Sequence, residues 1–212
     1  MKNKIILITA GPTREYLDPV RYISNGSSGK MGYSVAEEAK KRGAKVILVS
    51  GPVNIEPPKG VKFIKVISAR DMLAAAKKYF SASDIFIAAA AVSDYRPGKS
   101  YEKKIKKTGK AVKLKLVPNP DILLTLSKSP GRRAARPPIL AGFALETDNL
   151  IKNAREKLKR KNLDMIVANG PETIDSGIST GALITAGGIK RFRHISKQQL
   201  ARMMLDAIQS LR

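Results

Sequence analysis

A glycine-rich segment near the start of the chain carries the strongest chemical signal in the sequence. Residues 26–32 read Gly-Ser-Ser-Gly-Lys-Met-Gly and lie between an apolar run at 5–8 and a helix-like stretch at 33–41. Glycines let the main chain approach an anion closely, and the first amides of a helix point at bound negative charge. The pattern therefore predicts a phosphate-binding cradle and favours nucleotide binding. Its candidate lining residues are Gly26, Ser28, Gly29 and Lys30.

This segment departs from the two common phosphate-binding motifs. A Walker loop has four residues between its first glycine and the Gly-Lys pair, whereas two residues separate Gly26 from Gly29, and no Ser or Thr follows Lys30 to bind magnesium. The dinucleotide fingerprint begins directly after its strand, and this segment begins well beyond it. A surface loop before a helix therefore remains the plain alternative.

Polar residues follow a second apolar run. Residues 84–92 are typical of a strand that ends in alanines, and Ser93 and Asp94 come next. Because ligands of open α/β sheets bind beyond the carboxyl ends of the strands, Asp94 is a candidate for contact with a metal or a hydroxyl. The small side chains of Ala88 and Ala89 would admit a substrate or, equally, allow a helix to pack tightly on the sheet.

Asn119 stands between two prolines, in the sequence Val-Pro-Asn-Pro-Asp over residues 117–121. The prolines restrict the backbone on both sides, so the side-chain amide is held in a defined direction. Such an amide can grip a carbonyl intermediate, because it has both a donor and an acceptor. The structural alternative is a helix cap at Asn119, with Asp121 in the first turn of the helix.

Composition sets the outer limits. The 212 residues are 43% apolar, which is enough for one sizeable α/β core. The sequence has no cysteine, which excludes a disulfide framework, thiolate metal sites and cysteine nucleophiles, and predicts a cytoplasmic protein. No apolar stretch reaches the length of a membrane span, and the N-terminus has no signal-type apolar region, so no membrane partner is expected.

The charge is strongly positive. Forty Lys and Arg residues against 17 Asp and Glu residues give a formal net charge of +23, so the surface favours anions. The lysines crowd two segments, 103–115 and 152–161. Nucleic acid is one possible partner, but the chain has no Trp and few Phe and Tyr, which argues against a platform for stacking bases. Nucleic acid is therefore the less favoured partner.

The periodicity predicts alternating strands and helices, the pattern of a parallel sheet with crossover helices. The predicted strands are 4–9, 45–49, 62–66, 84–89, 139–144, 164–168 and 182–186, and the predicted helices are 28–42, 70–80, 120–128, 148–161 and 196–211. Ser68 and Ser196 stand where helix starts are expected. The prediction is a single three-layer, doubly wound α/β domain over residues 1–212, with a mostly parallel sheet and an exposed loop at 129–138.

Residues 93–118 interrupt this rhythm. The segment is rich in Lys and carries two short alternating runs, around 104–106 and 111–117. These runs could form a β-hairpin that projects from the sheet. Such an excursion would act as a lid on a site or pair two subunits.

Together, these motifs resemble one family. The residues that carry the resemblance are, in order, 9–15, 18–32, 90–97, 104–107, 119–122, 142–147 and 157–169. The pattern is similar to that of phosphopantothenoylcysteine synthetase, the ligase of coenzyme A biosynthesis that is often fused behind a flavin-dependent decarboxylase. The resemblance covers nearly the whole chain and implies a Rossmann-like sheet.

The resemblance implies the joining of 4′-phosphopantothenate to cysteine with a nucleoside triphosphate, CTP or ATP, and Mg²⁺. The carboxylate of the acid would attack the α-phosphate to give an acyl-nucleotidylate and pyrophosphate, and the cysteine amine would then displace the nucleotide. A homodimer is also implied, in which the projecting hairpin closes the neighbour's site.

The resemblance also implies residue roles. Asn119 would stabilise the acyl-nucleotidylate, and Lys157 would act at the nucleotide, although Lys159, Arg160 and Lys161 leave the choice of lysine open. The nucleotide site would comprise Gly11, Gly26, Ser28, Gly29, Lys30, Asp94, Phe143 and Ala144, with Asp94 also the metal candidate. The phosphopantothenate site would comprise Asn25, Lys104, Lys106 and Lys107.

Two departures from the family pattern leave questions open. Family members commonly have Asp after Val-Ala-Asn and later a Gly-Ser-Asp-x-Asn stretch, whereas this chain has Gly170 and then Ser-Gly-Ile-Ser-Thr-Gly-Ala over 176–182. The choice between CTP and ATP is therefore open. The sequence starts at the ligase domain, and either a stand-alone enzyme or an excised domain is compatible with it.

Two other function classes are weighed against the ligase. A basic nucleic-acid-binding α/β module would bind with an affinity that falls steeply with salt and would not turn over a triphosphate. An NAD(P)-dependent reductase would need a carboxylate after its second strand to hold the ribose, and Val49 to Pro52 offers none.

Overall fold

A computed structural model describes residues 1–129, 137–174 and 176–211. Within these ranges the strands are β1 (Ile5–Ala10), β2 (Arg14–Tyr16), β3 (Tyr22–Ser24), β4 (Lys45–Ser50), β5 (Lys62–Lys65), β6 (Ile85–Ala88), β7 (Tyr95–Pro97), β8 (Leu116–Pro118), β9 (Ile139–Leu145), β10 (Met165–Asn169), β11 (Ile178–Thr185) and β12 (Gly188–Ser196). The helices are α1 (Lys30–Lys41), α2 (Ala69–Phe80), α3 (Ile122–Ser127), α4 (Leu150–Arg160) and α5 (Lys197–Ser210), and a 3₁₀ turn covers Pro171–Thr173.

One large sheet organises the chain. Its strand order is β12-β11-β10-β9-β6-β1-β4-β5. The six strands from β10 to β5 are parallel, and β11 and β12 continue the sheet in antiparallel pairing. The chain leaves β1 toward β4 and β5 and then returns to the other side of β1 at β6. This reversal creates a topological switch point between β1 and β6, where ligands of such sheets bind.

Helices cover both faces of the sheet. Apolar residues of α1 and α5 pack on one face against Ile6 and Ile8, and those of α2 and α3 pack on the other against Leu7 and Phe86. Neighbouring residues of β1 thus face opposite layers, as the pleat of a strand requires. This arrangement confirms the three-layer, doubly wound α/β fold. None of the helices in the described ranges is long and apolar enough to cross a bilayer.

The helix starts follow from local chemistry. Ser68 caps α2, where its side chain accepts a hydrogen bond from the Asp71 amide at 3.2 Å and the Asp71 carboxylate accepts one from the Ser68 amide at 2.9 Å. Ser196 and Gln199 form the same reciprocal box at α5. Both boxes pair amides that a helix terminus leaves unsatisfied. The predicted helix starts at Ser68 and Ser196 are confirmed.

The predicted elements agree with the structure in the body of the domain and differ at its periphery. All five predicted helices are present with ends shifted by at most two residues, and six of the seven predicted strands match closely. The seventh, β11, begins four residues earlier than predicted. Strand β12 was not predicted, because Lys190, Arg191 and Arg193 interrupt its apolar pattern, as is common on an edge strand. The predicted loop at 129–138 falls largely on residues that lie outside the described ranges.

The segment 93–118 forms a smaller hairpin than predicted. Its ends pair antiparallel, Tyr95 with Pro118 and Pro97 with Leu116. Residues 98–115 contain no regular strand, so the strand predicted around 104–106 is wrong. The reason is physical, because lysines fill the run and no apolar face exists that a second layer could bury.

Gly32, the last glycine of the Gly-rich segment, is explained by packing. A Cβ at this position would lie 2.5 Å from the Cβ of Ala10 and 3.2 Å from its Cα. Helix α1 therefore lies directly on β1, and only a residue without a side chain fits between them. This close approach sets where the N-terminus of α1 meets the strand ends.

We expect Gly32→Ala to lower the free energy of unfolding by about 1–3 kcal/mol, because overpacking against Ala10 outweighs the gain in helix propensity. Urea denaturation measures the change. Gly177→Ala is the matched control, since no heavy atom lies within 4 Å of its added Cβ. A stabilised Gly32→Ala variant would show that α1 can move away from β1 at little cost.

Candidate active site

A cavity of about 180 Å³, here called the strand-end cavity, lies at the switch point of the sheet. It is lined by Thr9, Ala88, Ala90, Val92, Ser93, Asp94, Asn119, Pro120, Asp121, Ile122, Leu123, Phe143, Lys157 and Lys161. Residues from β1, β6 and β9, and from α4 and the turn after it, meet here although they are distant in sequence. Four predicted site residues, Asn119, Lys157, Asp94 and Phe143, share this one cavity.

The amide of Asn119 is held from three directions. Its main-chain N–H donates to the carbonyl of Asp94 at 2.7 Å, and its side-chain Nδ2 donates to the carbonyl of Ser93 at 2.9 Å. Its Oδ1 accepts a hydrogen bond from Nη1 of Arg96 at 3.2 Å. The predicted rigidity of Asn119 is therefore present, and tertiary contacts with the segment after β6 contribute to it together with the prolines.

Asp121, and not Asn119, caps α3. The Asp121 carboxylate accepts a hydrogen bond from the amide of Leu124 at 3.0 Å, and its other oxygen lies 2.6 Å from Nζ of Lys161. Burial alone would raise the pKa of Asp121, but the Leu124 amide and the Lys161 ammonium outweigh it and lower the pKa. The expected place of Asp121 in the first turn is thus wrong by one position, since this residue forms the cap itself.

Two lysines of the α4 region line the cavity. Lys157 is half-buried and Lys161 is buried, whereas Lys159 and Arg160 are exposed. Positions four apart share one face of a helix, which explains the separation. Burial lowers the pKa of Lys157, and the positive charge of Lys161 adds to this effect, while Glu146 and Asp121 oppose it. The cavity therefore holds two adjacent cations and can receive an anion.

A second depression of about 440 Å³, here called the loop cavity, contains part of the glycine-rich segment. It is lined by Pro12, Arg14, Tyr22, Ser24, Asn25, Ser27, Ser28, Pro52, Val53 and Asn54. Asn25 and Ser28 are the predicted site residues among them. Hydroxyls and amides dominate the loop side of the depression, and these groups suit a phosphate.

Gly11 and Gly29 form the base beneath the loop. Both adopt positive φ, +69° and +77°, and a Cβ on Gly29 would lie 3.3 Å from the Cα of Gly11. The main chain of the loop therefore rests directly on the turn after β1. Gly29 is also the N-cap of α1, and among the described residues no side chain caps this helix. Oγ of Ser27 accepts a hydrogen bond from the Gly29 amide at 3.3 Å, and the helix N-terminus faces the loop.

The two cavities adjoin through Asn25. Its Nδ2 donates to the carbonyl of Val92 at 3.0 Å, and Val92 lines the strand-end cavity while Asn25 lines the loop cavity. Thr13 adds two links, because its N–H donates to the Ala91 carbonyl at 3.2 Å and its Oγ1 accepts from the Ser93 amide at 3.0 Å. The glycine-rich loop, Asn119 and Lys157 therefore belong to one edge of the sheet.

The remaining predicted site residues lie apart from these cavities. Ala144 is completely buried in the core and lines neither cavity. A Cβ added to Gly26 would lie 3.8 Å from Cγ2 of Ile174, so Gly26 faces that side chain. Lys30 lines a separate cleft with Tyr33, Glu37 and Lys59. Lys104, Lys106 and Lys107 are exposed on the segment between β7 and β8.

Cavity size does not identify this site. Two other depressions, of about 420 and 630 Å³, contain none of the predicted site residues. The first is lined by apolar side chains and two arginines near β12, and the second lies at the ends of β4 and β5. The strand-end and loop cavities stand out by their chemistry, since fixed amides, hydroxyls and paired cations meet there.

Magnesium has few protein ligands in this region. Within the described ranges no three His, Asp or Glu side chains come together to hold a metal ion. Asp94 is exposed at the cavity rim, and Asp121 is engaged by Lys161. Mg²⁺ often binds through one or two carboxylates and substrate phosphates, so Asp94 fits an ion that arrives with a nucleotide.

Three contributors to the site escaped prediction from sequence. The sequence does not separate Lys161 from its neighbouring lysines. Arg96 holds Asn119, and Thr13 joins the loop after β1 to the loop after β6. The spacing of four between Lys157 and Lys161 was the available signal for Lys161. Arg96 and Thr13 had no local signal, because their partners are 23 and 80 residues away.

Comparison with known proteins places this geometry in a family context. The profile described as DNA/pantothenate metabolism flavoprotein C-terminal domain matches residues 1–211. The Coenzyme A biosynthesis bifunctional protein CoaBC of Haemophilus influenzae is 46% identical over 206 residues, which cover 96% of this chain and 50% of that protein. The protein of the same name from Escherichia coli is 43% identical over 215 residues, covering 98% and 52%. The chain therefore spans about half the length of the curated relatives it matches.

Solved structures agree with this match. The crystal structure of the C-terminal domain of a CoaBC protein superposes with a TM-score of 0.83 at 39% identity and covers 100% of this chain and 96% of that chain. A DNA/pantothenate metabolism flavoprotein from Streptococcus pneumoniae gives 0.84 at 24% identity, covering 99% and 100%. A Cab2 variant in complex with phosphopantothenate-cysteine gives 0.78 at 20% identity, covering 99% and 87%. At these identities the last two show the fold alone.

We expect Lys161→Gln to raise the pKa of Lys157 toward its ordinary value. The substitution removes a neighbouring positive charge, and the Asp121 carboxylate, no longer paired with Lys161, can stabilise the Lys157 ammonium. An NMR titration of the lysine side chains measures the pKa. Lys159→Gln, which removes an exposed charge on the same helix, should leave that pKa unchanged. An unchanged or lower pKa of Lys157 in Lys161→Gln would contradict the electrostatic coupling of the two lysines.

Proposed function

The chain belongs to the family of DNA/pantothenate metabolism flavoprotein C-terminal domains, and we propose that it is a phosphopantothenate–cysteine ligase of coenzyme A biosynthesis. The relatives that support this reaction class are named for coenzyme A biosynthesis, and the Cab2 structure contains phosphopantothenate-cysteine. One observation carries the proposal for this chain. Asn119, Lys157 and Lys161 share one cavity that adjoins the glycine-rich loop through Asn25.

The proposed reaction has two steps. A carboxylate oxygen of 4′-phosphopantothenate forms a bond to the α-phosphorus of CTP or ATP, and the bond to the β-phosphate breaks, releasing pyrophosphate. The amine of cysteine then forms a bond to the activated carbonyl carbon, loses a proton, and displaces the nucleoside monophosphate. Activation is required because a carboxylate is a poor acyl donor until its oxygen becomes part of a leaving group.

The strand-end cavity suits the activated intermediate. Lys157 and Lys161 supply positive charge where the α-phosphate would lie, and the partial burial of Lys157 strengthens this attraction. Asn119 would hold the acyl phosphate by its amide, since Ser93 and Arg96 fix its orientation before the ligand binds. Phe143 would contact the nucleotide base from the floor of the cavity.

The loop cavity suits the further phosphate groups. The amides and hydroxyls of residues 26–29 would receive the β- and γ-phosphates of the nucleotide at the N-terminus of α1. Asn25 and the lysines at 104–107 would receive 4′-phosphopantothenate. The acid and the nucleotide would thus meet where Asn25 contacts Val92, so that the carboxylate can reach the α-phosphate.

Three further parts of the proposal concern the metal ion, the oligomeric state and the location. Mg²⁺ would be held by the triphosphate with Asp94 as its protein ligand, and when bound it neutralises phosphate charge. A homodimer in which the segment 93–118 closes a neighbouring site, and a cytoplasmic location, also belong to the proposal. Sedimentation measures the oligomeric state directly.

The alternative functions are less well supported. An NAD(P)-dependent reductase is disfavoured, because β4 ends at Ser50 and Gly51 and Pro52 follow without a carboxylate for the ribose. A nucleic-acid-binding module would account for the +23 charge but not for a rigid amide beside two cavity lysines. Steeply salt-dependent binding of DNA or RNA without triphosphate turnover would favour that module.

We expect the purified protein to release pyrophosphate from CTP or ATP only when 4′-phosphopantothenate and Mg²⁺ are present, because the acid is the nucleophile. Addition of cysteine should then give the amide. A coupled pyrophosphate assay and mass spectrometry measure the two products, with unphosphorylated pantothenate as the control acid. Pyrophosphate release without any acid would contradict the ordered mechanism. The same assay run separately with CTP and with ATP establishes which base the protein prefers.

We expect Asn119→Asp to retain nucleotide binding but to lower the ligation rate by about 10²-fold, because the carboxylate loses the donor and repels the acyl phosphate. Calorimetric titration with the nucleotide and a product assay measure the two effects. Asn3→Asp makes the same change of charge at an exposed position and should be neutral. Full activity in Asn119→Asp would remove Asn119 from the reaction.

A further inference from the structure

The lysine-rich segment between β7 and β8 is anchored although it has no regular secondary structure. Near its start, Oγ of Ser100 donates to the carbonyl of Tyr16 at 2.9 Å, and the amide of Tyr101 donates to the carbonyl of Leu17 at 2.8 Å. Both acceptors lie at the end of β2 or just beyond it. The segment therefore lies against the β2–β3 hairpin.

Asp18 provides the strongest anchor. Its side chain is completely buried, and one oxygen accepts hydrogen bonds from the amides of Val20 and Arg21, each at 2.9 Å. The other oxygen accepts from Nε and Nη2 of Arg21 at 3.0 and 2.5 Å, and from the amide of Ile105 at 3.1 Å. The hydrogen bond from Arg21 holds the pKa of Asp18 well below its usual range. A buried carboxylate this well satisfied stays ionised.

Arg21 completes a two-sided clamp on Ile105. Its Nη2 also donates to the carbonyl of Ile105 at 2.6 Å, so the N–H and the C=O of one residue are both bound by the ion pair. Ile105 is half-buried, whereas Lys104, Lys106 and Lys107 on either side are exposed. The clamp fixes the main chain and leaves the cations available.

The same hairpin forms a wall of the loop cavity. Arg14, Tyr22 and Ser24 line that cavity, and Arg21 directly precedes Tyr22. The hairpin is stiffened by the rings of Tyr16 and Tyr22, whose centroids are 5.2 Å apart, and by the guanidinium of Arg14, which lies 4.6 Å from the Tyr22 ring centroid. The clamp and the cavity wall therefore lie on the same hairpin.

We propose that Asp18 is a positioning residue: with Arg21 it fixes the main chain at Ile105 and so holds Lys104 and Lys106 in place to bind the phosphate of the acid substrate. The inference rests on the proposed function for the identity of that acid. It differs from a purely structural role, because loss of the clamp should weaken binding of one substrate and spare the other. Preorganised cations bind a phosphate more tightly than mobile ones, because less conformational entropy is lost on binding.

The test compares Asp18→Asn with the unaltered protein. Hydrogen–deuterium exchange should become faster in peptides covering 99–115 and stay unchanged in β1 and β6. The dissociation constant for 4′-phosphopantothenate, measured by calorimetry without turnover, should rise about tenfold, as expected when charge-assisted contacts are loosened. The dissociation constant for CTP or ATP should not change.

Asp206→Asn is the matched control, because it also removes a carboxylate from an Asp–Arg pair, with Arg42 at 2.7 Å, on α5. It should alter none of these quantities. Lys104→Gln combined with Lys106→Gln should weaken binding of the acid, and adding Asp18→Asn to that pair should cause little further loss if Asp18 acts through the lysines.

Unchanged exchange at 99–115 in Asp18→Asn would overturn the clamp. Equal weakening of both substrates, or a loss that adds fully to that of the lysine variants, would overturn the positioning role. If the unaltered protein bound no 4′-phosphopantothenate, the proposed function and the substrate named here would both fall, while the exchange data would still decide whether Asp18 holds the segment.

Discussion

The site depends on the contact between the turn after β1 and the loop after β6. Thr13, which is completely buried, makes this contact through its N–H to Ala91 and its Oγ1 from Ser93, and its carbonyl accepts a hydrogen bond from Ser24 at 2.7 Å. Buried polar groups that lose such partners cost about 1–3 kcal/mol each, so the two chain segments are firmly joined. Because the glycine-rich loop follows one segment and Asn119 is bonded to the other, this contact sets the distance between them.

Charge is the second constraint on the site. Lys157 and Lys161 share a small cavity, and one carboxylate, Asp121, is paired with Lys161 and lies near Lys157. Burial and the repulsion from Lys161 together lower the pKa of Lys157, and an anion in the cavity would offset both effects. At the Asp18 clamp, a buried carboxylate and a half-exposed guanidinium hold an exposed lysine segment through its main chain. Fixed cations in both places suit a ligand with several phosphate groups.

Much of the fold was predictable because the signals are local. Ile6 and Ile8 alternate with Leu7 along β1, and Ser68 and Ser196 carry their capping partners three residues later. The periphery was not predictable, since β12 is an edge strand rich in Arg and Lys, and β2 and β3 are three residues long. In the lysine-rich segment the run around 104–106 did not become a strand, and of the run at 111–117 only Leu116 and Val117 pair, in β8. Hydrophobic periodicity therefore predicts the helices and strands that bury one face, and it does not predict those that bury none.

The sequence by itself determined the alternation of elements, the glycine-rich loop before α1, the rigid Asn119 and the resemblance to one ligase family. Tertiary structure alone decided that Lys157 and Lys161 enter the cavity while Lys159 does not, that Arg96 orients Asn119, and that Asp18 holds Ile105. The physical reason is range. Periodicity and capping act over a few residues, whereas a binding site is assembled by hydrogen bonds and ion pairs whose partners are brought together only when the sheet forms.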